Sequence, residues 1–145
     1  MDTLRASNGF KFLGAIAAAV ISLCAYSTMA VADQIAVTLS GDKEVPPVKT
    51  AAKGGGTIMI NPDMSVSGSV TTAGIAGTMA HIHQGAVGAN GPVIIPLTKN
   101  GDATWAVPPG AKLTDAQFQA YKAGELYVNV HSAENKGGEI RGQLK

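Results

Sequence analysis

Cysteine is almost absent from this chain, since Cys24 is the only one among 145 residues. It lies in an N-terminal segment that we expect to be cleaved off, so the remaining protein would have no disulfide bond and no thiolate nucleophile. A lipid-attachment cysteine needs a small residue before it, and Leu23 stands there instead. We therefore expect neither a disulfide framework, nor a cysteine-dependent enzyme, nor a lipoprotein.

A surplus of charge of either sign is also missing. Residues 33–145 contain as many basic as acidic side chains, and Arg141 is the single arginine of this range. A nucleic-acid-binding domain needs a basic patch that neutralises phosphates, and a membrane-surface segment needs a basic amphipathic helix. Neither feature occurs, so we expect no nucleic-acid partner and no attachment to a membrane surface.

The only long hydrophobic run lies at the N-terminus. A positively charged start precedes an apolar stretch at 12–25, and the small residues Ala-Val-Ala follow at 30–32. This arrangement is typical of a secretory signal peptide, because the apolar stretch is short for a membrane span. We predict a signal peptide at 1–32 and one domain at 33–145, exported to the periplasm or the medium without a membrane span; the alternative is an uncleaved anchor.

Beyond the signal segment, apolar and polar residues mostly alternate, which is typical of half-buried strands. The alternating runs are QIAVTLS, TIMIN, MSVSGSVTT, TMAHIHQ, PVIIPLTK, ATWAV, LYVNVHS and EIRGQL. The second and third should form a hairpin, because the turn residues Asn61-Pro62-Asp63 separate them. One helix is expected in LTDAQFQAYKAGE, with Thr114 and Gln117 as a capping box and Gly124 as its end. The pattern predicts an all-β sandwich with one short helix.

Histidine is also scarce, and the three histidines of the chain all lie in predicted strands. His81 and His83 are one residue apart in TMAHIHQ, and His131 lies in LYVNVHS. Successive side chains of a strand face opposite sides, so the two histidines share a face if Ile82 points to the core. The same rule puts further polar residues on the outer faces of three strands. If these strands are neighbours, one cluster results: Met79, His81, His83, Asn129, His131, Glu139 and Arg141.

This cluster has two interpretations, and the sequence does not choose between them. Three converging imidazoles are a common ligand set for zinc or copper, and Met79 would add a soft thioether that favours copper. Glu139 or Asn129 would then orient the ligands. Alternatively, the histidines bond Asn129, Glu139 and backbone groups and fix the strand register without a metal.

Catalysis finds little support in these residues. A serine nucleophile with His131 is disfavoured because Ser132, as its neighbour in a strand, faces the opposite side. The glycine-rich loop GAVGANG lacks a lysine and a following helix, so it is not a phosphate-binding loop. A redox enzyme built on the three histidines is a weaker third hypothesis, since a site with two metals would need more ligands.

Three long stretches of the chain resemble the chordin-type (CHRD) domain. They are LSGDKEVPPVKTAAKGGGTIMI, AHIHQGAVGANGPVIIPL and GELYVNVHSAENKGGEIRGQL, in the family's order. The resemblance covers most of residues 33–145, with the central part at 98–113 outside any clear motif. It implies an immunoglobulin-like, Greek-key β-sandwich in an exported protein, similar to small single-domain bacterial forms. The motif positions are His81, His83, Gly85, Gly88, Gly91, Pro92, Asn129, His131, Gly138, Glu139, Arg141 and Gly142.

The resemblance carries no catalytic residues with it, although the domains of animal chordin belong to an extracellular protein that binds growth factors. We therefore predict a non-enzymatic binding or interaction module without a certain cofactor. Its partner would be an unidentified protein or small ligand, and its oligomeric state is left open. The alternative is a periplasmic copper- or zinc-binding protein that uses His81, His83 and His131, with Met79 as a further ligand.

Overall fold

The structure, a computed structural model, describes residues 31–145, and the predicted signal peptide lies almost entirely outside this part. Within the described part, the chain forms nine strands and one α-helix. The strands are β1 (Asp33–Ser40), β2 (Lys53–Ile60), β3 (Val66–Ala73), β4 (Gly77–Gln84), β5 (Val93–Pro96), β6 (Thr98–Lys99), β7 (Thr104–Ala106), β8 (Leu126–Ser132) and β9 (Ile140–Leu144). The helix α1 spans Asp115–Lys122, and a short 3-10 turn, Gly41–Lys43, follows β1.

All nine strands belong to one antiparallel sheet with the order β5-β4-β8-β9-β1-β2-β3-β7-β6. The two edge strands, β5 and β6, are consecutive in the chain and meet at Leu97, whose N–H donates to the carbonyl of Ala80 on β4. This link brings the two edges of the sheet together, so the sheet is nearly closed. The predicted all-β class with one short helix is confirmed.

The predicted hairpin is found as β2 and β3, which pair from Lys53 opposite Ala73 to Ile60 opposite Val66. Its turn is held by Asp63, whose carboxylate accepts hydrogen bonds from the backbone and hydroxyl of Ser65. One expected strand is divided, however. The run PVIIPLTK changes its partner at Leu97, because residues 93–96 pair with β4 whereas residues 98–99 pair with β7.

The hydrophobic core is built from the inward-facing half of each strand. Ile35, Val37 and Leu39 alternate along β1, and Val128 and Val130 are fully buried on β8. Trp105 on β7 contributes the largest aromatic ring of this core. Burying these side chains is the main favourable term in folding. It also fixes which residues of β4, β8 and β9 face away from the core.

The helix begins and ends as its sequence predicts. The Thr114 hydroxyl accepts from the N–H of Gln117 at 3.2 Å, and the Gln117 side chain accepts from the N–H of Thr114 at 2.9 Å. This capping box satisfies two amide groups that have no partner inside the helix. Gly124, with φ of 74°, follows the last turn. No helix among residues 31–145 combines the length and hydrophobicity needed to cross a membrane.

Candidate metal centre

The outer faces of β4, β8 and β9 lie side by side, which places the predicted polar residues together. β8 pairs with β4 on one side and with β9 on the other. Met79 lies opposite His131, and His81 lies opposite Asn129, which in turn lies opposite Arg141. Directly opposed residues of antiparallel strands project to the same face. The adjacency that the sequence pattern leaves open is therefore present.

The three histidine rings converge on this face. Each ring offers one nitrogen such that the three nitrogens all lie within 4.8 Å of one another. Nδ1 of His81 is 3.0 Å from Nε2 of His131, and the centroids of the His81 and His83 rings are 5.5 Å apart. Among residues 31–145, no carboxylate joins them at ligand distance. The group of possible metal ligands among His, Cys, Asp and Glu therefore consists of the three imidazoles alone.

A backbone carbonyl determines which nitrogen of His83 carries the proton. Nδ1 of His83 lies 2.9 Å from the carbonyl oxygen of Gly91, and because that oxygen only accepts, Nδ1 carries the proton. In the neutral ring, Nε2 then holds a lone pair. This Nε2 is buried and makes no hydrogen bond of good geometry among the described residues, although the Asn129 side chain lies close enough to the ring to raise its pKa. A buried lone pair of this kind is rare in proteins, because losing its partner costs free energy.

His131 is oriented in the same way by a different loop. Its Nδ1 lies 2.9 Å from the carbonyl oxygen of Lys136, so in the neutral ring its Nε2 presents a lone pair to Nδ1 of His81. An imidazole that donates through one nitrogen to a carbonyl and ligates through the other is the usual arrangement around protein-bound metals. Two of the three histidines are thus arranged as such ligands.

Burial keeps the rings of His81 and His83 in the neutral form, which is the form that binds metals. Desolvation lowers the pKa of His81, and the neighbouring His131 and His83 lower it further. Desolvation also lowers the pKa of His83, although its bond to Gly91 opposes the shift. Both rings therefore stay neutral at neutral pH. Metal ligation requires this neutral imidazole.

The three nitrogens can reach one ion after a modest movement of the rings. Two nitrogens of a tetrahedral zinc site, each about 2.0–2.1 Å from the ion, are about 3.4 Å apart. All three nitrogens lie within 4.8 Å of one another, so the widest pair would have to approach by at most about 1.4 Å. His81 is the least buried of the three histidines, so its ring has the most room to move.

A second buried layer, mostly polar, supports the rings from outside the sheet. The His83 ring stacks on Tyr127 with centroids 4.8 Å apart and an angle of 4° between the planes, and the guanidinium of Arg141 lies 3.5 Å from the Tyr127 centroid. Arg141 is only 1% exposed. Its guanidinium donates to the carbonyls of Ala86 and Ala89 at 3.0 and 2.9 Å.

The glycine-rich loop at 85–91 is what covers this layer. Besides the two bonds from Arg141, the N–H of Gly91 donates to the Tyr127 hydroxyl at 3.2 Å, and the Gln143 amide donates to the carbonyl of Gly85 at 2.8 Å. A side chain at Gly91 would collide with the carbonyl of Gln84. The loop therefore holds the Gly91 carbonyl in the position where it orients His83.

The residues predicted to assist the histidines have different environments. Glu139 accepts from the hydroxyl of Thr50 at 2.7 Å and has no hydrogen bond to a histidine in the described structure. Asn129 is buried, and its Oδ1 atom has no hydrogen-bond partner among residues 31–145. Met79 is 49% exposed, on the face of the histidines. The carbonyls of Gly91 and Lys136 orient the rings, and the Asn129 side chain lies close enough to His83 to raise its pKa. The sequence does not reveal the backbone partners.

Glu44 is a further buried group that sequence reasoning missed. It lies in the connection after β1 and is only 4% exposed, close to Gly138 and the amide of Asn129. Burial raises the pKa of Glu44 to about 7, although the positive charge of Arg141 and the Asn129 amide oppose the shift. The connection containing Glu44 is irregular and rich in proline, so its sequence gives no signal for a buried carboxyl group.

Comparison with known proteins supports the resemblance of the sequence motifs. The family model of the CHRD domain matches residues 35–144, which span β1 to β9 and include all three histidines. No curated protein matches the chain, and no solved structure does either. The family match covers well over half of the sequence. The chain therefore belongs to the CHRD domain family.

Proposed function

We propose that this protein is an exported, non-enzymatic binding module that holds one copper or zinc ion on His81, His83 and His131. Three imidazoles suit either ion, and both ions accept three protein nitrogens with a further position left open. The cluster holds no protein nucleophile and no paired carboxylates, so hydrolytic catalysis would have to use water at the open position of the ion. Export follows from the predicted signal peptide at 1–32, which is a prediction from sequence.

The buried lone pair on Nε2 of His83 carries this proposal. A merely structural histidine is expected to bond through both ring nitrogens when it is buried, whereas Nε2 of His83 has no partner in the described structure. With Nδ1 held by the Gly91 carbonyl, Nε2 is the nitrogen left for an ion or for the Asn129 side chain beside the ring. A metal ion among the three rings would satisfy this lone pair.

Calorimetric titration of the purified protein with Zn²⁺ and Cu²⁺ tests the proposal. We expect one ion per chain in the wild type and loss of binding in His83→Ala. The matched control is Gln84→Ala, because Gln84 follows His83 on β4 and projects to the opposite face. A wild type that binds neither ion, or a His83→Ala variant that binds as well as the wild type, would refute it.

A cavity beside the cluster favours a second candidate function, binding of a small organic ligand. It has a volume of about 690 Å³, within the range of about 300–1,000 Å³ that is usual for small-molecule sites. Its lining combines apolar side chains such as Val45 and Val87 with three cations and two acidic groups. The cations, which outnumber the acids by one, are Lys43, Arg141 and Lys145, and the acids are Asp42 and Glu44. An anionic ligand would suit this lining. A thermal shift screen of small carboxylates tests it, and ligands that stabilise His83→Ala as well as the wild type would support it.

A further inference from the structure

We infer that the centre prefers copper(I), and that Met79 supplies a thioether ligand in addition to the three imidazoles. The inference rests on the proposed metal binding and extends it to the identity and oxidation state of the ion. It also assigns a specific role to a side chain that otherwise has no structural reason to be a methionine.

The register of β4 places Met79 beside the cluster. Met79 lies directly opposite His131 on β8, at a point where directly opposed Cβ atoms are about 4.5–5.5 Å apart. The register between the two strands shifts between Gly77 and Met79, so one extra residue is inserted just before this pair. Such bulges re-aim the side chains next to them. The extra residue interrupts the alternation, so the consecutive side chains of Thr78 and Met79 are both exposed.

Met79 is exposed where a packing residue would be buried. Its side chain is 49% exposed, and among residues 31–145 the other large apolar side chains with comparable exposure are Val31, Val87 and Val93. None of these carries a donor atom for a metal. A methionine side chain has three rotatable bonds and a polarisable sulfur, so an unburied one is free to turn toward a neighbouring ion.

The chemistry of the donors decides the ion. Thioether sulfur is a soft ligand that selects copper(I), whereas imidazole alone serves zinc and copper(II) as well. The described part of the chain contains no cysteine that could act as a soft ligand instead. His81, on the same strand face and two residues from Met79, is the least buried imidazole and lies between Met79 and His83. The thioether would therefore approach the ion from the solvent side.

The test compares copper(I) and zinc affinity in Met79→Leu, which removes the sulfur and keeps the bulk. Copper(I) is titrated without oxygen against a bicinchoninate competitor, and Zn²⁺ is measured separately on the same samples. Met59→Leu is the matched control, because Met59 lies on β2, which β8, β9 and β1 separate from β4. We expect copper(I) affinity to fall at least about tenfold in Met79→Leu, because losing even a group that only supports a metal ligand costs about 10–100-fold. Zinc affinity should stay unchanged, and Met59→Leu should match the wild type for both ions.

Three results would overturn the inference, and they differ in what else they affect. Equal copper(I) affinity in Met79→Leu and wild type removes the thioether ligand and leaves the histidine site intact. An equal loss for copper(I) and zinc makes Met79 a general structural support. A wild type that binds no metal at all removes the proposed metal binding as well. X-ray absorption of the copper(I) form adds an independent measurement, since a sulfur neighbour of copper should be present in the wild type and absent in Met79→Leu.

Discussion

Nδ1 of His81 lies 3.0 Å from Nε2 of His131, although the two residues are 50 positions apart in the sequence. The Lys136 carbonyl fixes a proton on Nδ1 of His131, so when Nε2 of that ring carries none, His81 is the donor of this bond. The bond joins β4 to β8 on the outer face of the sheet. An ion placed between the two nitrogens would replace it, so the same atoms serve both the metal-free and the metal-bound protein.

His81→Ala should separate ligation from folding better than a change at His83. His81 is the least buried of the three rings and makes one hydrogen bond, to His131. Losing that bond should reduce the free energy of unfolding of the metal-free protein by about 1 kcal/mol. Zinc and copper affinity should fall about 100-fold or more, since a directly bound ligand contributes more than a supporting group. Urea unfolding and ion titration measure the two effects. A variant that keeps wild-type affinity would exclude His81 as a ligand.

Gly91→Ala should disturb the orientation of His83 through the backbone. The added methyl group would collide with the Gln84 carbonyl, so the loop would move and carry the Gly91 carbonyl away from His83. We expect a loss of about 1–3 kcal/mol in unfolding free energy, the usual range for overpacking, and weaker ion binding. Gly137→Ala is the control, because nothing lies within 4 Å of its added methyl group. Equal stability of the two variants would show that this loop does not need glycine at 91.

Glu44→Gln should change the dependence of stability on pH. The pKa of Glu44 is raised to about 7, mainly by burial, so between about pH 4.5 and 7 the folded protein holds a proton that the unfolded chain releases. The stability that comes from this bound proton is fully present below about pH 4.5 and is lost as the pH rises through 7. A glutamine never ionises, so Glu44→Gln should be more stable than the wild type at pH 8 by about 2–3 kcal/mol and nearly equal to it at pH 4.5.

Chemical unfolding at pH 4.5 and pH 8 measures this difference, with the exposed Glu134→Gln as a control. The wild type and Glu134→Gln should lose stability together toward pH 8. Parallel curves for Glu44→Gln and the wild type would contradict the buried, protonated carboxyl group.

Arg141→Lys should loosen the loop at 85–91 although it conserves charge. The guanidinium reaches the carbonyls of Ala86 and Ala89 through two different nitrogens and stacks on Tyr127, which a single ammonium group cannot reproduce. We expect a destabilisation of about 1–3 kcal/mol. Amide hydrogen exchange should become faster by a larger factor in the loop than in β2 and β3, which respond only to the change in global stability. If the loop amides exchanged at the same rate in Arg141→Lys and in the wild type, Arg141 would not be what holds the loop.

Much of the fold follows from the sequence because its strands are half-buried. Period-two alternation gives the strands of the hairpin, and the capping box of Thr114 and Gln117 gives the helix start, since both depend on neighbouring residues only. The order of the strands in the sheet, by contrast, depends on contacts between distant segments. The pattern therefore identifies the shared face of His81 and His83 but not their closeness to His131.

The second buried layer was beyond prediction for the same reason. Alternation predicts that Tyr127, Asn129 and Arg141 face away from the core, and an outward face usually contacts water. Here the loop at 85–91 and the segment containing Glu44 cover that face, so these polar side chains are buried. A loop has no periodic pattern from which its path could be inferred. The carbonyls that orient the histidines belong to loops of this kind.

Metal analysis and thermal melting of the purified protein, with and without added zinc and copper, test the central claim most directly. An ion that binds only the folded protein, at 100 times its dissociation constant, adds about 2.7 kcal/mol of stability. For a domain of this size, that gain should raise the melting temperature by about 10 °C. We predict one bound ion per chain and a rise of this size in the melting temperature, which a chelator should reverse. No bound ion and an unchanged melting temperature would contradict this claim and leave the three histidines as a structural network.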